Sequence, residues 1–306
     1  MLEVKNIKKS YGDKVVLDGV NLNIKKGEVF GLIGANGSGK TTLFNIISQL
    51  LAADGGEVFL DGKKISNIDD LSKKLGYIID IPAMFEYMTA KEYLDFLFCS
   101  SNKLKEVKEK KILEVLKRVG LDEVQNKRIK SFSRGMKQKI GIAAGLIFNP
   151  EIILMDEPSS ALDPIGRRDV LSIIDSLKEQ GKTIILSTHI LNDIERVCTR
   201  VGLLVDGKIV IEGKISEIMK QFSENKIMVV AEKEAKLEIC KLLKKKKLTN
   251  DFEPRSSALE IGFKNDKNKK EIMQAIVESE IEFNEISIKH KTLEEIFVLM
   301  SKKGGK

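Results

Sequence analysis

The chain has 306 residues, 42% hydrophobic and 32% charged, with a formal net charge of +7 and no low-complexity tract. That length holds one large domain plus a small one. Its longest nearly uncharged apolar run, Ile140 to Phe148, is far short of a bilayer span, and the Met-Leu-Glu-Val-Lys start lacks the apolar core of a secretory signal, so any membrane association is expected to run through a partner chain.

Residues 1–27 alternate apolar and polar side chains (Leu2, Val4, Ile7; Val15, Val16, Leu17; Val20, Leu22, Ile24) around a Tyr11-Gly12-Asp13 turn, which predicts a small antiparallel sheet. Glu28 to Ile33 reads as a strand. It runs into Gly34-Ala-Asn-Gly-Ser-Gly-Lys-Thr41, a match to the phosphate-loop pattern G-x-x-x-x-G-K-[ST], after which Leu43, Phe44, Ile46, Ile47, Leu50 and Leu51 recur at helical spacing. Strand, glycine loop and helix together predict a nucleotide triphosphate site. The glycines at 34, 37 and 39 let main-chain N–H groups close on phosphates, and the helix N-terminus favours an anion. Lys40 can reach the β- and γ-phosphates, and the Thr41 hydroxyl suits Mg²⁺.

Residues 56–79 give more short strands, including Glu57 to Leu60 before the Asp61-Gly62 turn. From about 82 to 146 the pattern is helical. Thr89-Ala-Lys-Glu92 is a capping box opening a helix with Tyr93, Leu94, Phe96 and Leu97, and residues 105–119 form a charged amphipathic helix ended by Gly120. Ile152 to Met155 and Thr183 to Ser187 are uninterrupted apolar runs, the pattern of parallel strands covered on both faces; helices 165–180 and 190–199 follow them, and Lys208 to Glu212 is a late strand after the Asp206-Gly207 turn. Residues 1–220 therefore read as an α/β nucleotide-binding domain with a helical insertion at 82–146. Beyond it, strands at 226–230, 258–263 and 281–289 and helices at 234–246, 267–279 and 293–300 predict a small α+β accessory domain, 221–306, compatible with a ferredoxin-like order.

Cys99, Cys198 and Cys240 show no metal or disulfide spacing and read as small hydrophobes of a reducing compartment. The positive charge is spread out, and Lys244 to Lys247 read as a solvated helix end, so nucleic acid is not an expected partner. Ile152-Ile-Leu-Met-Asp156-Glu157 is an apolar strand delivering two acids to its tip. There Asp156 can hold Mg²⁺ through water and Glu157 can deprotonate an attacking water.

With these motifs in order, residues 1 to about 215 resemble the ATP-binding-cassette (ABC) ATPases, the motor subunits of ABC transporters. Ser133-Arg-Gly-Met136 resembles their LSGGQ signature with Arg134 and Met136 as variants, Asp156 to Asp163 resembles the Walker B strand entering the D-loop, and His189 in Ser187-Thr-His189 resembles the switch histidine. The resemblance implies a P-loop ABC ATPase core with antiparallel β and helical subdomains. It implies that Gly34, Asn36, Gly37, Ser38, Gly39, Lys40, Thr41 and Thr42 hold ATP while Tyr11 stacks on the adenine. It makes Glu157 the base, has His189 contact the γ-phosphate, and has Thr41 and Asp156 hold Mg²⁺. It also has Ser133, Gly135 and Asp163 act across a head-to-tail dimer on the partner's nucleotide, as a second helix N-terminus facing an anion would. His290 sits in a Lys-rich tail and has no such role.

One departure stands out. Asp80 occupies the position of the family's Q-loop glutamine; a carboxylate can accept from water or hold Mg²⁺ through water, but it cannot donate as an amide does. An acid there and the ending Lys291 to Phe297 resemble bacterial exporter-type ATPases for drugs, antibiotic peptides and polysaccharides. The implied protein is a cytoplasmic subunit at the inner face of the membrane, a homodimer or a heterodimer with another ABC ATPase. It would be carried by an integral-membrane permease docked on residues 82–101 with Met84, Phe85, Tyr87 and Met88. Two alternatives stand beside this: an ABC ATPase acting on ribosomes, nucleic acid or iron–sulfur assembly, and a nucleotide sensor without turnover.

Overall fold

The alternating first segment forms β1 (Leu2–Tyr11) and β2 (Lys14–Ile24), paired antiparallel from Leu2↔Ile24 to Tyr11↔Lys14. The structure, a computed structural model, describes all residues except 69–70, 72–73, 81–83, 99–104, 161, 223, 290 and 305–306, and the side chains of 105–107 and 301–304 are also outside it. Cys99 and His290 thus lie outside the described residues. β4 (Gly55–Leu60) and β5 (Lys63–Lys64) complete a four-stranded antiparallel sheet in the order β2-β1-β4-β5.

The apolar runs build a second, six-stranded sheet from β3 (Val29–Ile33), β6 (Leu75–Ile78), β7 (Ile152–Asp156), β8 (Thr183–Thr188), β9 (Arg200–Val205) and β10 (Lys208–Lys214). Its order is β10-β9-β3-β8-β7-β6, parallel throughout except for the edge hairpin partner β10. β3, β7 and β8 are buried at every position, as strands covered on both faces must be. A core of Leu2, Ile7 and Leu22 from the first sheet, Phe30 and Leu32 from β3, and Leu43 and Phe44 from α1 (Lys40–Ile47) joins the two sheets. Each such buried side chain contributes roughly 1.5–3 kcal/mol of transfer free energy.

α1 is shorter than its apolar pattern predicts. It stops at Ile47, Gln49 takes a left-handed φ of 60°, and the N–H groups of Leu50 and Leu51 both turn back to the Asn45 carbonyl. Leu50 is consequently 61% exposed rather than on the core face.

The helical insertion consists of α2 (Ala90–Phe98), α3 (Lys105–Arg118) and α4 (Arg134–Leu146). The capping box forms as predicted: Glu92 N–H donates to Thr89 Oγ1 at 3.1 Å and Thr89 N–H to Glu92 Oε2 at 2.8 Å. α5 (Pro164–Glu179) and α6 (Leu191–Val197) flank the parallel strands.

The chain divides into two compact units, Met1–Ile215 with Phe297–Lys306, and Ser216–Ile296. The second unit contains β11 (Lys226–Val230), α8 (Lys233–Lys245), β12 (Phe252–Pro254), β13 (Ala258–Gly262), α9 (Asp266–Val277) and β14 (Glu285–Ile288), in the antiparallel order β12-β13-β11-β14. This βαββαβ arrangement is ferredoxin-like. The sequence pattern lacked β12, whose Pro254 sits on an edge strand where a missing N–H is harmless. It also lacked α7 (Ile215–Gln221) and overextended β14, which pairs only as far as the five residues of β11 allow. α10 (Leu293–Gly304) ends the chain. Among the described residues, no helix is long and apolar enough to cross a membrane.

Candidate active site

The phosphate loop hangs between β3 and the N-terminus of α1. Two of its glycines are enforced by geometry. A Cβ on Gly39, whose φ is 106°, would sit 2.8 Å from Leu17 Cδ2 and 3.0 Å from the Val16 carbonyl; one on Gly34 would sit 2.4 Å from Ser38 Oγ. Both are far inside contact distance, so no side chain fits. Lys40 is 6% exposed and curls back over the loop, its Nζ donating to the carbonyls of Gly34 at 2.9 Å and Ala35 at 3.2 Å. Ser38 Oγ is buried without a hydrogen-bond partner, an uncompensated donor of the kind a phosphate oxygen would satisfy. Ala35, Asn36, Gly37 and Ser38 line a cavity of about 410 Å³. Val16, Asp206 and Phe297, which groups with the first unit, close its other sides.

Strand register brings the chemistry together. β7 and β8 run parallel with Asp156 opposite Ser187. The buried Asp156 carboxylate accepts from Thr41 Oγ1 at 2.6 Å through Oδ2 and from Ser187 Oγ through Oδ1. Its charge, together with burial, pushes the Tyr77 phenol up, with burial the larger cause. One residue on, Glu157 adopts a left-handed φ of 47° that aims its carboxylate away from the strand. Glu157 Oε2 lies 2.9 Å from His189 Nδ1, and Oε1 lies 3.4 Å from Lys40 Nζ with no hydrogen-bond partner of its own. Thr41 and Asp156 fit a hard cation that takes oxygen ligands. Among the described residues no group of three or more His, Cys, Asp or Glu could hold a metal ion, so nucleotide phosphates and water would have to complete the shell.

The other predicted residues fall in separate places. Ser133 caps α4, its Oγ accepting from the Met136 N–H at 3.3 Å, and Asp163 caps α5, accepting from the Gly166 N–H at 2.7 Å. Ser133, Gly135 and Asp163 line one cavity of about 340 Å³ that shares no residue with the phosphate-loop cavity. Asp80 lines a third, with Met84, Phe132 and Arg134, and accepts from Ser160 Oγ at 3.3 Å rather than joining Asp156. Tyr11 is 52% exposed and does not line the phosphate-loop cavity.

Sequence reasoning missed two supports. Ser187 is one; the other is Asp193, a buried carboxylate on α6 that accepts from Ser159 Oγ and Arg167 Nε, both at 2.7 Å, and so ties α6 to the segment after Glu157 and to α5. The signal in the sequence was Ser187 directly following the apolar run Ile184 to Leu186; Asp193 gave none.

The sequence matches the family described as ABC transporter over residues 17–160, and over residues 213–300 the family described as ATP-binding protein DrrA1-3-like, C-terminal domain. It is similar to the lantibiotic transport ATP-binding protein SrtF of Streptococcus pyogenes, 37% identical over 230 residues that cover 74% of this chain and 98% of that protein. It is likewise similar to the bacitracin transport ATP-binding protein BcrA of Enterococcus faecalis, 37% identical over 72% of this chain and 71% of that one. Among solved structures it resembles the dimeric post-hydrolysis ATP-binding cassette MJ0796 bound to ADP and Pi, with a TM-score of 0.64 and 33% identity over 70% of this chain and 99% of that one. The phosphate loop, the paired acids and these relatives converge: the chain belongs to the ABC transporter family and is an ATP-binding, ATP-hydrolysing cassette of it.

Proposed function

We propose that the protein is the motor subunit of an ABC exporter, closing on ATP as a head-to-tail dimer and passing that closure to a separate integral-membrane permease. One observation carries this: Asp156 and Glu157 contact Thr41 and Lys40 of the phosphate loop, whereas Ser133, Gly135 and Asp163 line a separate cavity that shares no described lining residue with the loop's own. A single chain leaves both half-sites incomplete; a second copy turned head to tail, or another ABC ATPase, would bring one chain's Ser133 to the other's nucleotide. The domain division proposed is an ATPase domain of residues 1–220 and an accessory domain of 221–306.

In this reading Gly34 to Thr42 hold the phosphates, and Lys40 leaves its loop carbonyls and Glu157 to pair with them. Mg²⁺, held by Thr41 and Asp156, would neutralise charge on the β- and γ-phosphates. Glu157 takes the proton of the attacking water as its oxygen bonds to the γ-phosphorus and the bond to the β-phosphate oxygen breaks. His189, already oriented against Glu157, donates toward the γ-phosphate. Tyr11 meets the base where it emerges from the cavity.

The permease would dock on the surface around Asp80. Phe85, Tyr87 and Phe96 are exposed there and touch through their rings, with centroids 5.3 Å apart for Phe85–Phe96 and 5.9 Å for Phe85–Tyr87. On this reading Asp80, which accepts a hydrogen bond from Ser160 near the D-loop, couples that surface to the nucleotide. Similarity to ATP-binding proteins named for lantibiotic and bacitracin transport supports the exporter type. Affinity purification from detergent-solubilised membranes tests it: a multi-span protein co-purifies on this reading, whereas ribosomes or nucleic acid in its place would overturn it.

A further inference from the structure

We propose that Ser187 is a positioning residue for the reaction: its hydroxyl orients Asp156 for the metal and clamps the main chain of Glu157. The inference rests on the nucleotide-site reading above but assigns a role that reading does not need. β8 is otherwise Thr-Ile-Ile-Leu before Ser187, and all of it is buried. An aliphatic side chain would fill such a position, yet Ser187 carries a hydroxyl with no access to water.

Both oxygens of that residue point at the chemistry. Its Oγ donates to Asp156 Oδ1, leaving Oδ2 for Thr41. The same Oγ accepts from the Glu157 N–H at 3.1 Å, and the Ser187 carbonyl accepts from that N–H at 3.0 Å, a bifurcated grip on one amide. Glu157 needs such a grip. Its φ of 47° lies in the left-handed region that non-glycine residues hold only where their surroundings impose it. Two residues further on, His189 meets the Glu157 carboxylate. Ser187 therefore sits beneath the metal carboxylate, the base and the switch histidine at once.

Removing the hydroxyl frees the Asp156 carboxylate to rotate and loosens the turn that aims Glu157. Partners that orient a metal-binding carboxylate typically contribute roughly 10–100-fold to metal affinity. The test is Mn²⁺ binding, by electron paramagnetic resonance, to the ADP-loaded full-length protein. Ser187→Ala and Ser187→Val should bind Mn²⁺ more weakly by that factor, while Ser187→Thr, which keeps the hydroxyl, restores binding. Val fills the volume that Ala vacates, so a packing defect separates from a lost hydrogen bond. ADP affinity without metal should be unchanged in all three, because the hydroxyl's partners are Asp156 and Glu157 and not the phosphate loop. Wild-type Mn²⁺ affinity in both Ala and Val variants would overturn the role of Ser187 alone. Failure of the wild-type protein to bind ADP would instead sink the nucleotide site beneath it.

Discussion

Lys40 Nζ lies 3.4 Å from Glu157 Oε1, which joins the cation proposed for phosphate to the carboxylate proposed for water. Both groups are largely buried, so each relieves the other's desolvation while no nucleotide is present. On the proposed reading, an entering γ-phosphate would compete for Lys40 and free Glu157 Oε1 for a water while Oε2 stays on His189. Glu157→Gln removes the base and the anion together. It should bind ATP at least as tightly as the wild type, lose roughly 10²–10⁴-fold in hydrolysis rate and accumulate as a dimer. Sizing chromatography with Mg-ATP checks this; a strictly monomeric variant would refute the shared site.

Lys40→Ala acts on the other member of the pair. The Nζ contributes charge-assisted hydrogen bonds of roughly 1.5–3 kcal/mol each, so ATP affinity should fall by about 10- to 150-fold. Titration calorimetry reads it directly, and unchanged affinity would remove the phosphate loop from the nucleotide site.

What was legible in the sequence was local. Gly34 to Thr41 sit on one strand–loop–helix unit, Asp156 and Glu157 at one strand tip, Thr89 and Glu92 one helical turn apart, and each pattern fixes its own geometry. Ser187 was not legible as a support because its meaning comes from the parallel register Asp156↔Ser187, which no short window encodes. Asp193 failed for a related reason: an acid on an amphipathic helix looks solvated until Ser159 and Arg167 close over it. The end of α1 was misread because apolar spacing continued through Leu50 and Leu51 while the left-handed Gln49 had already turned the chain.

Gly135 offers a test of the second half-site. Among the described residues a Cβ added there would meet only Ser133 Oγ, at 4.0 Å, so none of them requires glycine at this position. A glycine in the first turn of α4 costs helix stability of up to about 1 kcal/mol relative to alanine. On the dimer reading the space is reserved for another chain's phosphate. Gly135→Ala should therefore leave the melting temperature equal or higher while weakening ATP-driven dimerisation and turnover. A variant that dimerises normally in the Glu157→Gln background, followed by light scattering, would free Gly135 from the interface.

Tyr11 can be examined with an intrinsic probe, because the chain has no tryptophan. Its ring is half-exposed at the end of β1, beside the Lys9 ammonium at 5.8 Å from the ring centroid. Base stacking would cover that face, and the exchange of one aromatic ring for another preserves it. Tyr11→Trp should report ATP by a fluorescence change that Lys40→Ala removes. A silent tryptophan in protein shown to be ATP-bound would leave the base to other walls of the cavity, Phe297 among them.

The ferredoxin-like unit carries its own pH dependence at Glu260. This residue lies on β13, is 6% exposed and stands directly opposite Glu253 of β12, a like-charge pair that only cations make tolerable. Lys289 Nζ at 2.9 Å, Arg255 Nε at 3.3 Å and Lys226 Nζ at 3.4 Å surround its carboxylate, and Arg255 also holds Glu253 at 2.9 Å. The hydrogen bond from Lys289, the largest cause, lowers the Glu260 carboxyl from an ordinary 4.5 to about 2 against an opposing desolvation. A depressed folded-state value means that this stabilisation is fully present above 4.5 and disappears as pH falls through about 2. Calorimetric melting at pH steps across that window should show the transition of residues 216–296 moving to lower temperature as acid is added. Glu260→Gln cannot take up the proton and should flatten the slope, leaving the smaller share that Glu224 and Asp266, also held low by neighbouring lysines, contribute. Equal slopes for variant and wild type would mean that Glu260 keeps its proton affinity on folding, and the cation cluster around it would then be no more than a solvated surface network.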